Sequence, residues 1–309
     1  MKPAARFLAK GQILLLLSIC FCSYSKAQDL DTINFKFRKQ LVVGGNAMGY
    51  TGTMVGLYHL WYKDYPMTQF HAFNDNKEWL QMDKIGHTFS CYYEGLVGKK
   101  MMQWAGFSER SSTLIGGSYG FFIQSSIEVF DGFSEGWGAS WGDMLANAGG
   151  TSLFIGQELL WNEQRLTLKF SYSPTSYAQL RPNVLGSKYP ESLLKDYNGQ
   201  TYWLSGNIYS FLKEDSKFPK WINMAVGYGA DGLLGGFNNQ FISNGIAYDF
   251  NHIPRYRQFY LSPDIDFTKI KTNKKWLKTT FVLLNCLKMP LPVLEYNNQQ
   301  KLGFRWLQF

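Results

Sequence analysis

Three stretches of this chain set ionisable side chains inside segments that are otherwise apolar and glycine-rich. They are Asp83-Lys84-Ile85-Gly86-His87, Glu128-Val129-Phe130-Asp131, and Gly138-Ala139-Ser140-Trp141-Gly142-Asp143 continuing to Asn147. Taking a charged group out of water costs free energy unless a partner meets it. Any fold of this chain therefore has to bring these groups onto one another. On helices, Asp83, His87 and Glu94 fall on one face with Ser90 and Cys91 between them; Gln124, Glu128 and Asp131 form a second stripe; Asp143, Asn147 and Thr151 form a third. Three polar stripes are satisfied together when they face one another inside a bundle.

Such a cluster admits two kinds of chemistry. His87 with Asp83 and Glu128 could hold a divalent metal, since imidazole and carboxylate suit zinc, manganese or iron. Alternatively His87 and Glu128 would be the catalytic acid–base pair, their pKa values shifted by burial. In either case Asp83, Glu94, Asp131, Ser140, Asp143 and Asn147 would line the ligand-binding cavity. A third reading is purely structural: a buried hydrogen-bond network with His87 on a carboxylate, Asp143 capping a helix and Asn147 bridging backbones. The spacing is neither His-Glu-x-x-His nor Glu-x-x-His, so no metal motif decides among them.

No organic cofactor is expected. Gly227-x-Gly229-x-x-Gly232 follows a strand, but no apolar helix follows it, and it reads as a turn rather than a nucleotide site. His59, His71 and His252 are isolated, and no serine sits in a Gly-x-Ser-x-Gly context.

The first 27 residues read as a secretory signal. Lys2, Arg6 and Lys10 precede an apolar run over Ile13–Phe21, and Ser25-Lys26-Ala27 suits cleavage by signal peptidase I. An uncleaved anchor or a lipidated cysteine is the rival, although Ile19 and Phe21 are bulky where a lipobox takes a small residue. Cleavage removes Lys2, Arg6, Lys10 and Lys26 and lowers the formal charge from +8 to +4. No cluster of Lys and Arg with interleaved aromatics remains, which excludes a nucleic-acid footprint. Lys269, Lys271, Lys274, Lys275 and Lys278 could touch anionic lipid, though a solvated face is the simpler reading. Cys91 and Cys286 are expected as two separate buried thiols.

The pattern changes near Trp161. Before it, Leu41–Tyr62 carries no Asp, Glu, Lys or Arg and is long enough either to span a membrane or to form a buried core helix. Gly45, Gly49, Thr53 and Gly56 would offer a neighbouring helix a small-residue face. Helices are predicted over Asp83–Trp104, opening on an Asp N-cap, then Ser112–Phe130 and Asp143–Leu160. After Trp161 the period falls to two in Leu166–Tyr172, at Ile222, Met224, Val226 and Tyr228, around Ile265 and Phe267, and at Leu302, Phe304 and Trp306. Trp276–Leu287 is a predicted helix, stopped by Pro290 and Pro292. Aromatic residues at 17% and 30 glycines fit membrane-associated helices or aromatic-rich sheets.

The Asp83-Lys84-x-x-His87, Glu128-x-x-Asp131 and Gly138-to-Asp143 motifs, in that order over about Met82–Gln157, resemble the YfiM-like predicted periplasmic lipoproteins, a family with no assigned activity. The segment after Trp161 resembles the extension of longer members from Bacteroidota. The Asp-Lys-x-x-His, Glu and Asp-x-x-x-Asn order is also similar to VanZ-like membrane proteins.

The expectation is an α+β protein. A signal peptide over 1–27 precedes a membrane-associated or buried bundle of four to five helices over 28–161 and a smaller β-containing extension with one late helix over 162–309. It would be exported to the periplasm or the outer membrane, with an envelope lipid, a glycan-linked ligand or the membrane surface as partner. Neither nucleic acid nor nucleotide would be bound, and no protein partner is named. The rivals are a non-catalytic structural or partner-binding envelope protein and an outer-membrane β-barrel, for which four clear strands are visible where a barrel needs about eight.

Overall fold

The computed structural model describes residues 35–62, 65–189, 191–243 and 245–308. The signal read at 1–27, with its Cys20 and Cys22, lies outside the described residues.

Helices come first and strands follow. The long helices of the first half are α1 (Phe35–Leu57, running into a π-helical turn at Tyr58–Tyr62), α2 (Met82–Trp104), α3 (Tyr119–Gly132, preceded by a π-helical turn at Ser112–Gly116) and α4 (Trp141–Trp161). The strands are β1 (Leu166–Tyr172), β2 (Gln200–Asn207), β3 (Ile222–Asp231), β4 (Gln240–Ser243), β5 (Ile246–Asp249), β6 (Tyr256–Ile265), β7 (Leu291–Asn297) and β8 (Lys301–Gln308), with α5 (Lys275–Leu284) between β6 and β7. The protein is thus α+β, as its periodicities predict.

Glycine decides where the helices touch. A Cβ at Gly95 or Gly98 of α2 would collide with the backbone at Gly117 or Gly116; one at Gly120 of α3 would strike the Cys91 backbone, and one at Gly150 of α4 the Thr88 carbonyl. These four contacts draw α3 and α4 tightly onto α2. The small-residue face expected on α1 meets no helix among the described residues: a Cβ at Gly45, Gly49 or Gly56 would have open space around it. Phe37, Val43, Met48 and Val55 of α1 are exposed, and only its C-terminal part, through Met54 and Tyr62, is buried. No helix among the described residues is long and apolar enough to cross a membrane. In Leu41–Tyr62 the Gly, Thr, Asn and Tyr residues lower the hydropathy that the missing charges suggested.

Six strands form one antiparallel sheet in the order β1-β2-β3-β6-β7-β8, and β4-β5 make a separate hairpin. The sheet curls until the backbone at Leu287 bridges Phe170 of β1. Still, β1 and β8 are its outer strands and do not pair. The sheet does not close, so the barrel reading fails despite the strand count. Near β1 and β2 one sheet face meets the bundle: Phe89 of α2 lies 6.2 Å from Phe170 and 5.7 Å from Tyr202, ring centre to ring centre. The core joins these rings to Tyr92, Phe154, Leu185, Leu233 and Leu234, so bundle and sheet share one apolar interior.

α2 begins at an unusual place. Trp79, Leu80 and Gln81 have φ of 47°, 50° and 71°, three successive left-handed residues with no glycine. Tertiary contacts hold them: Trp79 N–H donates to Gly236 O at 2.8 Å, and the Trp79 ring stands against Tyr197. Asp83 therefore does not cap α2; Gln81 occupies that position without a side-chain cap. Two other local expectations change. The strand expected around Ile265 and Phe267 ends at Ile265, because Asp266 accepts from Thr268 N–H and starts a 3-10 turn. Gly227 and Gly229 lie within β3, and only Gly232, at φ 74°, makes the turn.

Candidate functional site

The N-terminal half of α2, the C-terminal half of α3 and the start of α4 meet around Lys84 and His87. Ser140 explains why α4 begins where it does. Its Oγ accepts from Asp143 N–H at 3.1 Å, a helix N-cap. The same hydroxyl donates to Asp75 Oδ1 at 2.6 Å, and Ser140 N–H donates to Glu128 Oε2 at 2.9 Å. One capping residue thus ties a loop, α3 and α4 together. Lys84 Nζ sits among three carboxylates, 2.6 Å from Asp75 Oδ2, 3.0 Å from Asp83 Oδ2 and 3.0 Å from Asp143 Oδ1. The last is an ion pair without hydrogen-bond alignment.

His87 faces two ways. Its Nδ1 donates to Asn147 Oδ1 at 3.0 Å, an oxygen that also accepts from Cys91 Sγ at 3.4 Å. Its Nε2 points between Glu128 Oε1 at 4.0 Å and Asp143 Oδ1 at 3.9 Å, beyond hydrogen-bond reach of either. Beside them, Tyr62 OH donates to Asp131 Oδ1 at 2.8 Å. His87, Glu128, Asp131, Asp143 and Asn147 are all buried.

Charge is out of balance here. Five carboxyls (Asp75, Asp83, Glu128, Asp131 and Asp143) face one lysine and one imidazole. Burial pushes Glu128 and Asp131 up to about 8 and Asp143 up to about 6; for Glu128 the nearby His87 opposes this, for Asp143 His87 and Lys84 do. Burial works against charge on His87, but Asp143, Glu128 and Asp83 outweigh it and raise its pKa. Asp75 is lowered despite burial, because Lys84 and Ser140 donate to it.

Among the described residues, two sets of ligand atoms each lie within 4.8 Å of one another: His87, Glu128 and Asp143, and Asp75, Asp83 and Asp143. The sequence-derived metal set of His87, Glu128 and Asp83 is thus divided, with Asp143 taking the place of Asp83 beside the imidazole. Glu94 stands apart from both groups. It lies two turns further along α2, where its Oε1 accepts from Gln124 Nε2 at 2.9 Å and burial raises its pKa to about 8. Sequence reasoning missed Asp75, in a loop without periodicity, and Tyr62, at the end of the π-helical turn; it named Lys84 without seeing that one ammonium serves three acids. Cys91 and Cys286 are free and buried, as expected.

Residues 71–156 match a family described as a predicted periplasmic lipoprotein (DUF2279). The match covers a little over a quarter of the chain and holds every residue of the cluster except Tyr62. It agrees with the YfiM-like resemblance and with an exported envelope protein, periplasmic or outer-membrane associated. The similarity to VanZ-like proteins finds no support. No curated protein and no solved structure matches the chain.

Proposed function

We propose that this exported envelope protein holds a divalent cation between His87, Glu128 and Asp143, and that the cation's remaining positions take an anionic group of an envelope lipid or glycan-linked ligand. One observation carries the reading: the Asn147 carbonyl takes the Nδ1 proton and directs Nε2 at two carboxylate oxygens about 4 Å away. Metal-bound histidines are oriented in this way by a partner on the other ring nitrogen. Tetrahedral ligands at ~2.1 Å from an ion stand about 3.4 Å apart, so bringing Nε2 to that separation from each oxygen takes a shift of roughly half an ångström. The surplus of buried carboxyls supports a cation at the same point. No catalytic step is assigned to His87 and Glu128.

A structural reading is favoured by Lys84 and Ser140, whose bonds alone tie the loop at Asp75 to three helices. Native mass spectrometry with elemental analysis, on full-length protein extracted gently from envelope membranes, separates the two. One bound divalent ion, lost in His87→Ala and Glu128→Ala while both variants melt like the parent, is the expected result. An apo mass, with both variants merely less stable, would leave the cluster as a device for fixing helix register.

A further inference from the structure

The six-stranded sheet has its polarity reversed. The face enclosed by its curl carries charge around a small apolar cluster of Trp203, Ala225, Tyr260 and Val293: Lys169 of β1 and Asp264 of β6 are buried at 2.8 Å from each other, and Lys288 joins them. Gln258 and Glu295, bonded at 3.0 Å, are enclosed on the same face. The opposite face is apolar. Over β1, β2 and the Tyr228–Ala230 end of β3 it packs against the bundle and the segment before α2, but among the described residues the rest of β3 and β6, β7 and β8 are bare on this face. The register sets Val226, Leu261, Leu294 and Phe304 in one row across four strands, each about half exposed. A neighbouring row holds Phe259, Tyr296 and Leu302.

In water this costs twice, once for the buried charges and once for the bare hydrocarbon. The same alternation costs little where the outer medium is hydrocarbon. The composition along the strands narrows the occupant further. At one end of the face Arg257 donates to Tyr228 OH at 3.0 Å, and Lys301 closes the β7–β8 turn. Beyond them the face is aliphatic and aromatic without charge. Cations and tyrosines above a charge-free apolar zone match the step from lipid headgroups to acyl chains.

We infer that the bare β3–β6–β7–β8 face rests in one leaflet of a bilayer, with Arg257 and Lys301 at the headgroups. It does not span the bilayer, because the unpaired edge of β8 would leave backbone groups unsatisfied in hydrocarbon.

The test uses full-length protein and vesicles of phosphatidylethanolamine and phosphatidylglycerol, in a flotation assay at low and high salt. Flotation should persist at high salt and fall about tenfold in Leu261→Lys/Phe304→Lys, a change equivalent to about 1.4 kcal/mol. Circular dichroism of the double variant should match the parent. A nitroxide on Phe304→Cys should report acyl depth, with oxygen reaching it more readily than a polar quencher. Flotation unchanged by the two lysines overturns the inference. So does a vesicle-free parent that sediments as a dimer and is made monomeric by the same lysines, since a second copy then covers the face. If the double variant fails to fold, a water-exposed nitroxide at Phe304→Cys on the parent background overturns it equally.

Discussion

The molecule buries two clusters of charge, and they are balanced differently. Inside the curled sheet, Asp264 meets Lys169 at 2.8 Å, Lys288 at 3.7 Å and the Ser205 hydroxyl at 2.6 Å, and both ammonium groups also donate to backbone carbonyls; Asp264 Oδ1 has the Lys288 ion pair but no hydrogen bond. Inside the bundle, five carboxyls share one lysine and one imidazole, Asp83 Oδ1 and Asn147 Nδ2 have no hydrogen-bond partner, and His87 Nε2 stops about 4 Å short of its neighbours. A cluster whose opposite charges touch serves the fold. One that gathers more carboxyls than partners and leaves a gap beside an imidazole is the better candidate for a binding site.

That contrast is easily tested. The largest effect belongs to Asp264→Ala, which strands two buried lysines and should cost about 3–5 kcal/mol, read as a fall in melting temperature or denaturant midpoint. The comparison breaks if Glu128→Gln costs as much.

Proton linkage separates the two regions next. Burial raises Glu94 from 4.5 to about 8, so the folded state binds that proton more tightly and the bundle loses stability as pH climbs between those values. Burial lowers Lys288 from 10.5 to about 8, so there the unfolded state holds the proton better and the sheet gains stability as pH climbs over that range. Glu94→Gln, which keeps an acceptor for Gln124, should make the lower slope shallower, leaving the share of Glu128, Asp131 and Asp143, and stabilise the protein by a few kcal/mol at pH 8. Lys288→Met should remove the upper slope. Urea melts across the pH range check both signs.

Glu128→Gln should change stability by less than about 1 kcal/mol at pH 7, where burial already keeps that carboxyl largely protonated, yet abolish divalent binding measured by calorimetry. The smallest effect is a control outside both clusters. Gly49→Ala in α1, with open space around it, should stabilise by about 0.5–1 kcal/mol.

Much of this was legible in the sequence. The bounds of β1 were read directly from alternation in Leu166–Tyr172, and the polar stripes of α2, α3 and α4 converge as their spacing required. What escaped had physical causes. β2 begins at Gln200, inside a run of turn residues, and β7 carries Pro292 where a proline signals a stop; each is a strand through its neighbours rather than its own composition. Asp75 has no periodicity to announce it. The α1 glycines looked like a packing face because spacing alone carries no information about whether a partner arrives.

The left-handed turn at Trp79–Leu80–Gln81 has a consequence for how such a chain could be shortened. Conformations of this kind cost about 1 kcal/mol or more per residue and persist only when their surroundings impose them. The imposing groups, Gly236, Tyr197 and the Tyr228 hydroxyl on Leu80 O, all come from the strand-bearing part of the chain. A protein trimmed to its family-matching segment would keep every acid of the cluster and lose the clasp that aims Asp83 and Lys84 at the others. The strands, however they are used at a membrane, also serve as the jig on which the helical site is assembled.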